Sequence, residues 1–496
     1  MKQMNWIEIG SEDPRKHHAK DTLLIVLHSG PNEEHSKWVD ELETKAIPVM
    51  EKRLEYIKAY CGFANDKSAP FAIIRWLKDG NGTFERRWLL GHFIKRIRTQ
   101  FESIKKLAVV IANDTPSKLD IAMAEDIYSS ICNHLFDSLK IKSCDILVRD
   151  IKQIEKKDPY FRDRFSYNLN YRFWINENPD IRTSIKIGED LKSFAMQHSC
   201  DFQEMTESEL QKEGMNLILA VGGASEISPP RCFLLSKNLK EGSQPLMLVG
   251  KGITFDTGGI NVKPFESFVN CMRNDMGGAS LMANLFMALV ATGYDKPVAL
   301  VIPACENLVA QKSMKPGAIY QSHKGLDVAV DHTDAEGRLI LADALSYGEQ
   351  VFEPSSILCA ATLTTSALRQ YSGYQTPVHF ASKSVSKKLQ KACEAFGELI
   401  TVQDSLLPYK WANKGKISHV TNIGRLPQNA GMGGGSNIAA HFLSEFVTKP
   451  FVHFDIFAST WNWSGDYPGS NFGATGSLFN SLFQAIRYGS LDEVLA

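Results

Sequence analysis

Between residues 251 and 336 the sequence carries an unusual set of side chains: Lys251 and Asp256 in GKGITFDTGG, Asp275 in MRNDMGG, and Asp334 with Glu336 in HTDAEGR. Each lies where an apolar run or a glycine-rich loop turns. Four carboxylates gathered in one place would repel one another and raise each other's pKa unless cations neutralise them. Two divalent ions balance the charge, four negative against four positive. Carboxylate oxygens with one amine nitrogen, and neither thiolate nor imidazole, suit Zn, Mn, Co or Mg and disfavour copper or iron–sulfur centres. Lys251 is the odd member, because it donates a lone pair only when neutral. Moving a lysine pKa from ~10.4 to below 7 costs roughly 4 to 5 kcal/mol at about 1.36 kcal/mol per unit. An adjacent dication supplies that; a solvated surface does not.

Taken singly, GKG or TDAEG reads as a tight turn followed by a capped helix, and only their joint order points to a site. The thirteen histidines form no H-E-x-x-H, which sets aside the helix-borne zinc proteases. A metallophosphatase centre would recruit histidines, which this set lacks. GMGGGS (431–436) has no Lys-Ser/Thr after its glycines, so it reads as a flexible connection, and no nucleotide cofactor is expected.

Elements must bring these residues together. PLMLVGKG, VALVIPACEN, LDVAVDHTD and SSILCAATL are continuous apolar runs, as expected for strands of a central sheet covered on both faces, with GASLMANLFMALVATG and RLILADALSYG as intervening helices. Ligands of such open sheets gather outside the carboxyl ends of the strands, where the polar residues above stand. Upstream, TLLIVL (22–27), FAIIRWL (71–77) and LAVVIAN (107–113) alternate with a helical pattern over 116–137, a second α/β layer. The charged stretch IKQIEKKDPYFRDR lacks aliphatic periodicity. The spacing predicts an N-terminal α/β domain over 1–155, a linker helix over 156–170 and a catalytic domain over 171–496, consistent with a 496-residue chain too long for one core.

Composition narrows the partners. With 55 Lys plus Arg against 56 Asp plus Glu, the formal charge of -1 draws the surface neither to nucleic acid nor to anionic lipid. The basic, aromatic-bearing segment 86–106 reads as a solvated helix face rather than a nucleic-acid surface. Nine scattered cysteines without a C-x-x-C pair predict reduced thiols and a cytoplasmic setting. The start has no apolar leader core, and Leu281–Tyr294 is too short to span a bilayer, so neither export nor membrane insertion is expected.

The ordered series GKGITFDTGG, Lys263, MRNDMGG and TDAEGRL resembles the signature of the leucyl aminopeptidase family. Looser resemblance runs through PACEN (303–307), KPG (315–317), ATLT (361–364) and HFDI (453–456), so it covers most of the chain from about residue 170. The resemblance implies two α/β domains, the larger C-terminal one a mostly parallel sheet flanked by helices and carrying a dinuclear metal site. It implies that Asp256 and Glu336 are shared between two ions, that Lys251 and Asp275 complete one site, and that Asp334 completes the other. Lys263 matches the family's carbonyl-polarising lysine, and Arg338 the arginine that holds a bicarbonate. Substrate would touch Lys263, Met272, Asp275, Thr362 and Leu363. The implied activity is release of N-terminal residues, leucine-like ones preferred, from peptides with a free N-terminus by hydroxide bridging two metals. A homohexamer of two stacked trimers is implied as well; the alternative is a DNA-binding or scaffold member with incidental peptidase activity. His332 departs from the asparagine that most of the family carries. Strand alternation would set it on the same side as Asp334, where an imidazole could orient that carboxylate.

Overall fold

The computed structural model describes residues 150–424, 434–463 and 473–489 without interruption and, earlier in the chain, 3–8, 22–29, 47–48, 57–64, 69–76, 86–87, 90, 106–111, 117–132 and 143–148. The chain divides into two compact units. One comprises Met1–Phe165 with Cys393–Glu398 and Asn462–Thr475; the other comprises Ser166–Ala392, Leu399–Trp461 and Gly476–Ala496.

In the first unit the apolar runs become strands of a seven-stranded sheet. These are β1 (Gln3–Glu8), β2 (Thr22–Ser29), β3 (Ile47–Pro48), β4 (Ile57–Ala64), β5 (Ala69–Trp76), β6 (Lys106–Ile111) and β7 (Ser143–Val148), ordered β1-β7-β6-β2-β5-β4-β3. Pairing is parallel from β1 to β5 and antiparallel at the β5-β4-β3 edge. Leu23–Leu27 and residues 107–111 are buried without alternation, as parallel strands covered on both faces must be. Within the basic segment 86–106, Arg87 is buried and grips Asp126 of the helix Lys118–Cys132 with two bonds of 2.7 and 2.8 Å. Apart from residues 86, 87, 90 and 106, that segment lies outside the described residues.

The second unit is built on a nine-stranded, mostly parallel sheet. Its strands are β8 (Asp201–Met205), β9 (Arg231–Lys237), β10 (Leu246–Gly250), β11 (Gly252–Asp256), β12 (Val298–Asn307), β15 (Ser356–Ala361), β16 (Gln375–His379), β17 (Leu399–Val402) and β19 (Phe451–Asp455). The order is β17-β16-β19-β15-β10-β12-β9-β8, with β11 also on β12. β10 runs beside residues 298–301 of β12 and β11 beside residues 304–307, so two short strands share one long neighbour and break at Lys251. The helix Gly277–Ala291 is buried from Gly277 to Val290 and has almost no polar stripe, which fits an element enclosed on all sides. Its start presses into the sheet: a Cβ on Gly278 would lie 2.1 Å from the Ala360 carbonyl oxygen and 2.8 Å from the Lys251 nitrogen, so only glycine permits the approach.

LDVAVDHTD departs from the expectation of a central strand. Only Asp327–Ala329 (β14) is extended, and it pairs with β13 (Ile319–Gln321) and β18 (Val420–Thr421) in a separate three-stranded sheet. Beyond Ala329 the chain leaves the sheet: the N–H groups of Asp331 and His332 go to the Asn422 side chain, that of Thr333 to Asn261 and that of Asp334 to His332. His332 and Asp334 therefore stand in a turn, and strand alternation does not govern them. Asp275, expected where a strand or loop turns, instead lies in the 3-10 segment Val269–Met276 that leads into Gly277–Ala291.

The helix Gly337–Phe352, which follows that turn, is anchored by Asp343, a fully buried carboxylate. It accepts from the N–H groups of Leu217 (2.8 Å), Ile218 (3.3 Å) and His323 (2.8 Å). Burial pushes its pKa up to about 7, while those three donors act the other way. Asp343→Ala would leave buried donors without partners at about 1–3 kcal/mol each. The expected result is a clearly lowered thermal midpoint by circular dichroism; an unchanged melt would show that the carboxylate anchors nothing.

Candidate metal centre

Backbone bonds first fix the two lysines and the carboxylates as a group. Lys251 N–H donates to the Ala360 carbonyl (3.1 Å) and Lys251 O accepts from Ala279 N–H (2.7 Å), so the break between β10 and β11 is clamped between β15 and the helix Gly277–Ala291. Asp256 ends β11. A turn follows in which Lys263 N–H donates to Thr257 O at 2.9 Å. Glu336 is the N-cap residue of Gly337–Phe352, at the positive end of that helix, where a carboxylate is favoured. Asn422 holds the turn before it, accepting from Asp331 and His332 N–H and donating to His332 O (2.7 Å) and Ala335 O (3.3 Å).

The side chains then divide into two ion-paired groups. Lys251 Nζ lies 2.8 Å from Asp275 Oδ2 and 2.8 Å from Glu336 Oε1, and donates to Thr362 O at 2.8 Å. Lys263 Nζ lies 2.8 Å from Asp256 Oδ2 and 2.5 Å from Asp334 Oδ1. Asp256, Asp334 and Glu336 also offer oxygens that all lie within 4.8 Å of one another. Lys251, Asp256, Asp275 and Glu336 are each about 2% exposed.

Burial and charge pull the members of this cluster in opposite directions. Burial works against the lysine charges, yet Asp275, Glu336 and Asp256 around Lys251, and Asp256 and Asp334 around Lys263, outweigh it and raise both lysine pKa values. Burial would also raise Glu336, but Lys251 and Lys263 hold it down to about 2. The other two acids go the opposite way. Burial and the Asp256 charge push Asp334 up to about 7, and burial pushes Asp275 well above the usual carboxylate range despite Lys251. The two lysines hold Glu336 down but leave Asp275 and Asp334 raised. The donor set, carboxylate oxygens with an amine, is of the kind that hard and borderline divalent cations take.

A cavity opens onto the cluster, lined among others by Lys251, Asp256, Lys263, Asp275, Asp334 and Glu336. Arg338, Thr362 and Leu363 line it too, so the structure brings together ten of the residues singled out in the sequence once His332 is counted. Met272 is the exception: it is 1% exposed and is not among the described residues that line the cavity. His332 Nδ1 accepts from Asp334 N–H at 3.2 Å. Burial pushes Arg338 down to about 10, against the charges of Glu336 and Asp455.

Sequence reading missed Asn307, Asp455 and Asn422, and gave Thr362 a substrate contact rather than its bond to Asp275. Thr362 Oγ1 donates to Asp275 Oδ1 at 2.8 Å, and Asn307 Nδ2 donates to Asp256 Oδ1 at 2.8 Å. Asp455 of HFDI accepts from Thr364 Oγ1 (2.6 Å) and from the N–H groups of Leu363 and Thr364, fixing the cavity wall. An asparagine or aspartate closing an otherwise apolar strand, as in PACEN and HFDI, was the available signal. Asn422 had none.

The sequence model of the cytosol aminopeptidase family, catalytic domain, matches residues 170–483. A probable cytosol aminopeptidase of Fusobacterium nucleatum subsp. nucleatum is 31% identical over 315 residues, 63% of this chain and 64% of that protein. One from Alkaliphilus metalliredigens is 34% identical over 57% of this chain and 55% of its own length, and one from Aquifex aeolicus is 28% identical over 78% and 77%. The chain thus spans less than two thirds of the length of the first two relatives it matches. Among solved structures, the bottromycin maturation enzyme BotP in complex with Mn shares the fold, with a TM-score of 0.76, 20% identity, and coverage of 95% of this chain and 100% of that one. The buried cluster of acids and lysines lies wholly inside the region that the family model matches, and the chain belongs to the cytosol aminopeptidase family.

Proposed function

We propose that the protein is a metal-dependent aminopeptidase that releases single residues, leucine-like ones preferred, from peptides with a free N-terminus. The observation that carries this reading is the meeting of four carboxylates, three of them buried, with Lys251 and Lys263 at the carboxyl edge of the sheet. Asp256, Asp334 and Glu336 would hold one divalent ion, and Asp275, with Lys251 once an incoming ion displaces the proton that its acidic neighbours otherwise keep on it, would join Asp256 and Glu336 in holding a second. The candidates are Zn, Mn, Co and Mg; the bottromycin maturation enzyme of this fold is described with Mn. Bound there, the ions supply Lewis acidity and bring the ionisation of water toward neutral pH, so that hydroxide is available to attack the peptide carbonyl.

The chain's own residues do the rest. Lys263, with its ammonium at the cavity, donates toward the oxygen on which negative charge builds. Arg338, which lines the cavity, would hold a bicarbonate that could serve as proton acceptor. Asp275 helps hold the substrate's α-amine, which restricts cleavage to the first residue because an internal bond offers no such amine. Leu363, Ile423, Ile438 and Phe457 give the cavity an apolar wall that suits a leucine-like side chain. Thr362 also lines the cavity, whereas Met272 is buried and does not. Six described cysteines are free thiols, which supports a reducing, cytoplasmic setting. Among the described residues no helix is long and apolar enough to cross a membrane.

Chelation should abolish hydrolysis of leucyl amides and Mn, Co or Zn should restore it, with two ions per chain by metal analysis. Full activity with one ion or none defeats the reading.

Asp334→Ala should lose metal and rate together. Arg338→Ala should retain both ions yet turn over slowly. Loss of metal in the second variant would undo the separation of ligand from bicarbonate holder.

The family resemblance implies a homohexamer, in which exposed apolar side chains such as Val262 and Phe265 could be covered. Light scattering should give a mass near six times the 55.4 kDa of the chain; a fully active monomer contradicts it.

A further inference from the structure

The two loops that carry the charged residues are joined by uncharged side chains that the reading above gives no task. Asn307, at the end of β12 and 1% exposed, donates to Asp256 Oδ1 at 2.8 Å and to Thr333 O at 3.1 Å. Its own carbonyl accepts from Thr257 N–H (3.0 Å) and Thr257 Oγ1 (2.8 Å). Thr333 is fully buried and donates to Gly258 O at 2.6 Å. Thr333 and Asn261 also pair reciprocally: Asn261 N–H donates to Thr333 Oγ1 and Thr333 N–H to Asn261 Oδ1, each at 2.8 Å.

Gly258 and Gly259 make this contact possible. Both have positive φ, +88° and +66°, and a Cβ on Gly259 would lie 2.9 Å from Asn307 Oδ1 and 3.0 Å from Thr333 Oγ1. The turn that carries Lys263 is therefore pressed against the turn that carries Asp334, with the end of β12 behind both. A planar amide serves two acceptors only while both stay in place. A hydroxyl that donates to one loop and accepts from the same loop fixes where that loop stands.

We propose that Asn307, Thr333 and Asn261 form a positioning latch with two separable tasks. Asn307 aims the Asp256 carboxylate at the metal it would share, and the Thr333–Asn261 pair sets Lys263 against Asp334 at the scissile carbonyl. None of the three touches substrate or reacting atoms; they act through Asp256 and Lys263. The inference rests on the metal-dependent aminopeptidase reading.

The test uses the full chain, calorimetric titration with Mn2+ alone, and steady-state hydrolysis of a leucyl amide. Asn307→Leu, close in shape but without donors, should weaken Mn2+ binding by about tenfold to a hundredfold, the range in which partners of metal ligands act. Thr333→Val should keep both Mn2+ ions within a few-fold of the parent affinity and lower kcat about tenfold at nearly constant KM. Thr333→Ser should restore kcat. Asn261→Ala, on the half-buried loop, should repeat the Thr333→Val result and carries the test if that variant does not fold. Unchanged Mn2+ affinity in Asn307→Leu, or loss of metal in parallel with rate in Thr333→Val and Asn261→Ala, overturns the latch. A parent protein that binds no Mn2+ and cleaves no amide overturns the function reading instead.

Discussion

Four carboxylates buried within reach of one another would repel, and each would take up a proton rather than lose its hydration uncompensated. Here Lys251 and Lys263 each bridge two of them, and the compensation is incomplete: Glu336 stays strongly acidic while Asp275 and Asp334 are driven upward. Removing one partner of a buried ion pair typically costs 3–5 kcal/mol because the other is left uncompensated. An arrangement of this kind persists only if the surrounding chain holds every member in place, and much of the second unit can be understood as doing that.

The parallel sheet supplies the frame. β10, β12, β15 and β19 are buried along their whole length, and the break after β10 sets Lys251 at the point where the chain steps from β10 to β11. Gly278 lets the helix Gly277–Ala291 come against that break, which carries Asp275 to Lys251. Glu336 enters from the start of Gly337–Phe352, where the helix dipole favours its charge. Asp343 ties that same helix to the segments around Leu217 and His323, so the helix that presents Glu336 is anchored away from the charges it bears.

Neutral hydrogen bonds then set the directions that charge alone cannot. Coulombic attraction is nearly indifferent to angle, whereas an amide or hydroxyl donor is not. Thr362 on Asp275, Asn307 on Asp256, and Asn422 under the Asp334 turn give three of the loops a fixed orientation. Asp455 does the same for the cavity wall at Leu363 and Thr364.

The sequence by itself determined the α/β class, the apolar strands β2, β6, β10, β12 and β15, the two long helices beside the site, and the charged residues that meet there. These are legible because burial on both faces writes continuous apolar runs, and because the charged motifs stand in one ordered series although each alone reads as a turn before a capped helix. Tertiary structure alone decided which lysine pairs with which acids, since that depends on distances between loops far apart in the chain. It also moved residues 327–329 out of the central sheet and placed His332 in a turn, because the donors of Asp331 and His332 are captured by Asn422, some ninety positions later. Local alternation cannot register a partner that distant. Met272 is left out of the cavity lining for a related reason: within the 3-10 segment Val269–Met276 it is buried, whereas Asp275 lines the cavity.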